Sequence, residues 1–175
     1  RKVELWDPKT GKWTVGPASV VPRGYHSVAL LLPDGRVMAG GDDWVSSLLD
    51  TNKADRMDST IELYPPPAPF RGPRPVITAA PAEAAYGEQV AVTATSARPI
   101  TRATLVAPAA VTHAVDMNQR LLELPVSVGP TGDLTVRMPT TSGAAPPGDY
   151  MLFLVDDAGV PSEARWIRVR PGIPG

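Results

Sequence analysis

The sequence has no cysteine and only two histidines among its 175 residues. Without cysteine, the chain cannot build disulfides, thiol nucleophiles, zinc fingers, iron–sulfur clusters or blue-copper sites from its own residues. Two histidines also cannot supply a three-histidine metal site. Any imidazole chemistry of this chain must therefore rest on His26 and His113.

The sequence also has no excess of basic charge and no long apolar run. Lys and Arg number 17 against 18 Asp and Glu, which gives a formal net charge of −1. Binding to nucleic acid depends on a basic face that neutralises phosphates, so we expect no nucleic-acid partner. A membrane helix needs about 20 consecutive apolar residues, and we predict no membrane span.

Proline and glycine are abundant, at 21 and 15 residues, while the hydrophobic content of 43% is ordinary for a globular protein. Proline and glycine interrupt nearly every window long enough for an amphipathic helix. The polar stretch from Ser46 to Asp58, which contains no apolar stripe, is predicted to be a long loop. Short strands joined by tight turns are the expected consequence, and the predicted fold class is all-β.

The N-terminal part contains a repeated pattern. Residues 3–8 read VELWDP and residues 61–66 read IELYPP, so both run aliphatic, Glu, Leu, aromatic, with proline two residues later. A hairpin turn at Pro33 to Arg36 and a Gly40–Gly41 pair lie between them. This spacing is typical of kelch-type propeller blades, although a short echo can also arise by chance. We predict about one and a half blades of a partial kelch β-propeller.

Residues 65–75 read PPPAPFRGPRP and mark a predicted domain boundary. Each proline removes a donor from a strand ladder, so no sheet interior accepts such a run. Residues 1–70 are therefore assigned to the incomplete propeller blades and residues 71–175 to a second domain. Short, regularly spaced strands follow, and they predict an immunoglobulin-like β-sandwich without a disulfide. The predicted strands are Val76–Ala80, Gln89–Thr95, Ile100–Val106, Thr112–Met117, Leu121–Val128, Asp133–Met138, Tyr150–Asp156 and Ala164–Val169.

The residues alone leave the role of the two histidines open. Each can be a hydrogen-bonded structural histidine or a metal ligand. Tyr25 and His26 are adjacent, and consecutive residues of a regular strand point to opposite faces. Both side chains could reach one metal only where the backbone departs from regular β geometry, which Gly24 could permit. Trp44, within the polar loop, could line a site or simply pack the loop.

Three segments together resemble one enzyme family. Residues 23–37, RGYHSVALLLPDGRV, resemble the copper-site blade of the galactose oxidase and glyoxal oxidase family of copper radical oxidases. Residues 112–120, THAVDMNQR, resemble its second copper-ligand segment. Residues 147–155, PGDYMLFLV, resemble a C-terminal strand of its final domain. The three segments occur in the family's order, and the resemblance extends over nearly the whole chain.

The resemblance implies a site and a reaction. Tyr25 would be the axial copper ligand and the acceptor of the substrate hydroxyl proton. His26 and His113 would be imidazole ligands of Cu²⁺, the latter on a hairpin from 107 to 119 that enters the propeller. Imidazole suits Cu(II), and a phenol is a hard oxygen donor. The reaction implied is oxidation of small alcohol, aldehyde or carbohydrate substrates while O₂ becomes H₂O₂.

The same resemblance implies partners outside this chain. The family stores a second electron on a tyrosine cross-linked to cysteine, and this chain has no cysteine. The Tyr–Cys cofactor and the remainder of the kelch propeller are therefore expected upstream, and the chain alone is expected to be inactive. A secreted or cell-surface location is implied as well. The alternative is a non-catalytic kelch and immunoglobulin-like surface module, or a carbohydrate-binding module. The absence of an upstream cysteine would favour a non-catalytic module over the enzyme.

Overall fold

A computed structural model describes residues 2–24, 26–41, 60–113 and 115–171 of the chain. Strands form nearly all of the regular structure in these ranges, so the predicted all-β class is confirmed. Tyr25, Trp44 and the predicted loop from Ser46 to Asp58 lie outside the described residues. No helix within the described ranges is long and apolar enough to cross a membrane.

The N-terminal part forms two small antiparallel sheets. Strands β1 (Lys2–Asp7) and β2 (Lys12–Ala18) form a hairpin in which Trp6 faces Trp13. Strands β3 (Val28–Leu31), β4 (Val37–Gly40) and β5 (Ile61–Tyr64) form a three-stranded sheet in that order. The two sequence-echo segments thus each form a strand, β1 in the first sheet and β5 in the second.

The predicted hairpin turn between β3 and β4 is confirmed. The Leu32 amide donates to the Arg36 carbonyl at 2.8 Å, and the Gly35 amide donates to the Leu32 carbonyl at 2.9 Å. Gly35 has φ +85°, a left-handed conformation that glycine adopts without steric cost. The strand that leads into this turn, β3, begins at Val28.

The proline-rich connection is packed against its surroundings rather than extended into solvent. It contains a short 3₁₀ turn, Ala68–Phe70, and the rings of Pro69 and Pro75 are buried. Arg74 follows and donates hydrogen bonds to carbonyls on both sides of this connection. The connection therefore joins the two parts of the chain through direct contacts.

The C-terminal part is the predicted β-sandwich. Its strands are β6 (Val76–Ala79), β7 (Glu83–Ala85), β8 (Gln89–Thr95), β9 (Ile100–Val106), β12 (Leu121–Leu124), β13 (Val126–Val128), β14 (Leu134–Arg137), β15 (Gly148–Asp156) and β16 (Arg165–Arg170). One sheet has five strands in the order β12-β9-β15-β16-β7 and the other has four in the order β13-β14-β8-β6. Between β9 and β12, the strands β10 (Val111–Thr112) and β11 (Val115–Asp116) form a separate two-stranded sheet.

The core lies between these two sheets, and β15 is its centre. Tyr150, Leu152 and Leu154 belong to the apolar cluster between the sheets. Met151 and Phe153 point to the opposite face of β15 and are buried as well. Since side chains alternate along a strand, burial on both faces means that β15 is covered from outside the sandwich too.

Two strand predictions need correction, and one strand was missed. Leu121–Val128 is two strands, β12 and β13, which belong to different sheets. Pro125 separates them, and its missing N–H explains why one continuous ladder is impossible. The predicted strand Thr112–Met117 is a tight hairpin of two-residue strands, β10 and β11. The short strand β7, which pairs in parallel with β16, was not predicted.

Candidate metal centre

His26 stands in a tight turn immediately before β3. The Ser27 amide and hydroxyl both donate to the Gly24 carbonyl, at 3.3 and 2.6 Å. This closes the turn and gives His26 a φ of 59°, in the left-handed region. A left-handed conformation costs a non-glycine residue about 1–2 kcal/mol. The backbone departure that the Tyr25–His26 pair requires is therefore present at His26 itself.

Arg23 anchors this turn to the neighbouring sheet. Its Nη1 donates to the Gly41 carbonyl at 3.1 Å, and its Nη2 donates to the Thr60 hydroxyl at 3.2 Å. Its Nε lies 3.4 Å from a carboxylate oxygen of Glu62, and the Arg23 side chain is only 7% exposed. One guanidinium thus ties the His26 turn to the ends of β4 and β5.

Glu62 completes the anchor from β5. Its carboxylate accepts hydrogen bonds from the Ser19 hydroxyl and the Val20 amide, both at 2.7 Å. These two bonds, the Ser19 hydroxyl first, hold the pKa of Glu62 below its usual range, and Arg23 adds a smaller electrostatic contribution. The carboxylate therefore stays ionised at neutral pH, opposite the buried guanidinium.

His113 stands at the tip of the β10–β11 hairpin, within the segment predicted to deliver it. The Asp116 carboxylate accepts the backbone amides of Ala110 and Asn118, at 2.9 and 3.0 Å. The Asn118 side-chain amide donates to the Pro108 carbonyl at 2.7 Å. These bonds clasp the base of the hairpin, and β10 lies against β3 of the N-terminal sheet.

The His113 backbone is left-handed as well, with φ 56°. The Thr112 hydroxyl oxygen lies 2.9 Å from the His113 Nδ1. In the tautomer in which Nδ1 carries the proton, the ring donates to that oxygen, and Nε2 is then the metal-binding nitrogen. Such a contact orients the ring in the way that outer hydrogen bonds orient metal-binding histidines.

The fold brings the two predicted histidine ligands together. The ring centres of His26 and His113 are 5.4 Å apart, with the ring planes at 79°. Both side chains are exposed in this chain. A cleft of about 470 Å³ is lined by His113 and Asp116 from the hairpin and by Arg23 and Ser27, which lie on either side of His26 in the sequence. Residues distant in sequence, from two parts of the chain, therefore meet at one cleft.

The donor set fits a transition metal. Such a metal lies about 2.0–2.1 Å from an imidazole nitrogen, so two rings that share it have centres roughly 4–6 Å apart. The observed 5.4 Å lies in this range, and imidazole pairs suit Cu(II). Within the part of the chain that the structure describes, no three histidine or carboxylate residues cluster as metal ligands. The third predicted ligand, Tyr25, lies outside the described residues.

Sequence reasoning missed the residues that support this centre. Arg23 was noted only as part of a motif, and Gly41 only as part of a glycine pair. Asp116 and Asn118 carry a usable signal, because Asp and Asn often bond backbone amides in tight turns. The positive φ angles at both histidines have no sequence signal, because histidine occurs in every backbone region.

Comparison with known proteins agrees with the fold and the motif order. Residues 74–169 match the family model described as galactose oxidase-like, early set domain. The chain is 35% identical over 167 residues to the aldehyde oxidase GLOX1 of Arabidopsis thaliana, covering 86% of this chain and 27% of that protein. It is 36% identical over 154 residues to a galactose oxidase of Gibberella zeae, covering 87% of this chain and 22% of that protein.

A solved structure gives the same result. The chain matches a fungal alcohol oxidase of the AA5 family, described in complex with copper, with a TM-score of 0.84 and 32% sequence identity. The match covers 96% of this chain and 35% of that one. The chain thus spans only about a fifth to a third of the length of these proteins. By its sequence match and its β-sandwich, the chain belongs to the galactose oxidase-like family, whose early set domain occupies residues 74–169.

Proposed function

We propose that this chain is the C-terminal part of a copper radical oxidase and that it supplies Tyr25, His26 and His113 to one Cu²⁺. The reaction is the two-electron oxidation of a primary alcohol to an aldehyde, or of a hydrated aldehyde to an acid. The two electrons and two protons removed from the substrate pass to O₂ and give H₂O₂. The observation that carries this proposal is the 5.4 Å separation of the His26 and His113 rings.

Each residue of this chain has a defined part in the proposal. His26 and His113 hold the metal through their imidazoles, and Thr112 orients the His113 ring through Nδ1. The phenol oxygen of Tyr25 accepts the proton of the substrate hydroxyl. Copper, when bound, supplies a one-electron acceptor. Because this chain has no cysteine, the second acceptor, a Tyr–Cys cofactor, belongs to the upstream part of the protein.

The proposed architecture follows the same division. Residues 1–70 form the last one and a half blades of a kelch propeller, and residues 71–175 form the immunoglobulin-like domain. The remainder of the propeller is the partner of the N-terminal sheets. Their exposed apolar side chains support this, because Trp6, Trp13 and Ile61 are 55%, 66% and 60% exposed and a neighbouring blade would cover such surface. A secreted or cell-surface location rests on family resemblance alone.

Copper binding by the full-length protein tests the proposal. His113→Ala and His26→Ala should each weaken Cu(II) binding by more than the roughly 10–100-fold that loss of an outer hydrogen-bond partner costs. Each should also change the electron paramagnetic resonance spectrum, because an imidazole nitrogen leaves the coordination sphere. Gln119→Ala, an exposed change on the same hairpin, is the matched control and should bind copper normally. Wild-type copper stoichiometry and spectrum in His113→Ala would reject the assignment.

A further inference from the structure

We propose that Gly41, held in place by Arg23, is a positioning residue for His26, and that the hydrogen on its Cα is what allows His26 to stand where it does. The inference rests on the proposed function, in which His26 is a metal ligand. It adds a residue that donates nothing to the metal and acts only through the backbone of the ligand.

The evidence begins with the space beside Gly41. A Cβ added to Gly41 would lie 2.6 Å from the His26 carbonyl oxygen and 3.3 Å from the Ser27 Cα. Side-chain carbons do not approach other atoms as closely as the first of these distances. Both neighbours are backbone atoms, which cannot rotate out of the way as the end of a long side chain can. Any residue larger than glycine at this position must displace the His26 peptide or move itself.

Gly41 is poorly able to move. It directly follows β4, whose last residue, Gly40, pairs with Val28 on one side and Ile61 on the other. The Gly41 carbonyl accepts the Arg23 Nη1 at 3.1 Å, and Arg23 is itself paired with Glu62. The Gly41 backbone is therefore fixed by the strand pairing and by Arg23, and the His26 turn is the part that must move.

A displaced His26 peptide would redirect the imidazole. The left-handed region open to a non-glycine residue is small, and His26 already occupies it at φ 59°. A shift of its carbonyl must therefore either take φ and ψ out of that region or carry the whole residue along. In both cases the ring moves relative to His113, whose hairpin is clasped independently by Asp116.

Substitutions at two other glycines distinguish the clash with His26 from the other effects of an added methyl group. At Gly40, the neighbour in sequence, an added Cβ would lie 3.8 Å from the Ile61 Cγ1 and 4.0 Å from the Thr60 carbonyl oxygen, which are ordinary contacts. Gly41 itself has a left-handed backbone, with φ +78°. Gly11 is left-handed as well, with φ +66°, but an added Cβ there would have no atom within 4 Å. Gly40→Ala thus reports the effect of a methyl group nearby, and Gly11→Ala reports backbone strain without a clash.

Copper affinity of the full-length protein is the first measurement. Gly41→Ala should weaken Cu(II) binding by about 10–100-fold, the usual effect of losing a residue that orients a ligand, and should shift the copper resonance spectrum. Gly40→Ala and Gly11→Ala should bind copper within about twofold of wild type, because neither reaches His26. Gly41→Ala that binds copper as tightly as these two controls would overturn the proposal.

A second variant covers the case in which Gly41→Ala does not fold. Arg23→Lys keeps the positive charge but loses the guanidinium group that contacts Gly41, Thr60 and Glu62. It therefore loosens the Gly41 backbone without adding an atom beside His26. We expect it to weaken copper binding by less than Gly41→Ala, about 3–10-fold, which is below the usual loss for an outer partner because the charge is kept. Wild-type affinity in Arg23→Lys would also overturn the proposal.

A metal-free measurement separates this inference from the proposed function. In a crystal structure of metal-free Gly41→Ala, the His26 and His113 ring centres should lie farther apart than 5.4 Å, and those of Gly40→Ala should not. An unchanged separation overturns the positioning role even if copper is the true ligand. If instead the His113→Ala variant binds copper as tightly as wild type, the proposed function fails. The structural comparison of Gly41→Ala with Gly40→Ala still decides the role of Gly41 in that case.

Discussion

Among the contacts between the two parts of the chain, we expect those of Arg74 to contribute most to the free energy of unfolding. Its Nη1 donates to the Asp34 carbonyl in the β3–β4 turn at 2.8 Å. Its Nε and Nη2 donate to the carbonyls of Pro161 and Ser162 in the sandwich, at 2.9 and 2.6 Å. The Ala164 amide adds a direct bond to the turn at 2.8 Å. The guanidinium therefore bridges the unit that carries His26 and the unit that carries His113.

The expected cost of Arg74→Ala is about 2–4 kcal/mol of unfolding free energy. A hydrogen bond to a charged group contributes about 1.5–3 kcal/mol, and three such bonds are lost. The total stays below their sum because the site is only partly buried, so water can reach the freed carbonyls, and because neighbouring effects are not additive. Arg74→Lys should fall between the alanine variant and wild type, since an ammonium group cannot reach three carbonyls in a fork.

Arg36→Ala is the matched control, because Arg36 lies in the same turn and pairs with the Asp34 carboxylate at 2.6 Å. Both of those side chains are substantially exposed, at 44% and 33%, so this ion pair should contribute less than about 1 kcal/mol. Urea unfolding measures both variants, and copper affinity should fall only in Arg74→Ala. Equal stability losses for Arg74→Ala and Arg36→Ala would refute the bridging role.

Two further predictions concern stability. Hydrogen bonds from Ser19 and Val20 lower the pKa of Glu62, so its charge stabilises the fold above the ordinary carboxyl pKa of about 4.3, and this contribution is lost as the pH falls through the lowered value. Glu62→Gln should therefore show a shallower loss of stability than wild type in acid titrations, and equal slopes would contradict this. Leu152→Ala, at 0% exposure in the core, should cost about 3–5 kcal/mol in urea unfolding, whereas Leu121→Ala, 61% exposed, should cost about 0.5 kcal/mol or less; a loss below about 1.5 kcal/mol for Leu152→Ala would count against the packing.

The sandwich was the most predictable part of the fold. Gln89–Thr95 and Ile100–Val106 have the predicted bounds. The first shows the period-two alternation of a half-buried strand, and the second lies between prolines at positions 99 and 108. The division of Leu121–Val128 into two strands could have been predicted from Pro125, because a proline inside a strand interrupts its hydrogen bonds to the neighbouring strand. Strand β7, Glu83–Ala85, is too short to show any period, and its pairing with β16 is set by the sheet rather than by local sequence.

The approach of His26 to His113 was predictable, but the contacts that produce it were not. Having only two histidines narrowed the choice to His26 and His113, and the family motifs assigned both. Their approach depends on the docking of the β10–β11 hairpin against β3 and on the contacts of Arg74. Such contacts join residues far apart in sequence, and no periodicity or local propensity encodes them.

The backbone of the two histidines shows how the centre is built. Among non-glycine residues in the described ranges, only His26 and His113 have a positive φ, and each costs about 1–2 kcal/mol relative to a relaxed residue. Strain of this kind persists only where the surroundings over-determine it. The Arg23–Glu62 pair and Gly41 do so for His26, and the Asp116–Asn118 clasp does so for His113. Because the two restraints share no residue, loosening one should move one ring only and leave the other in place.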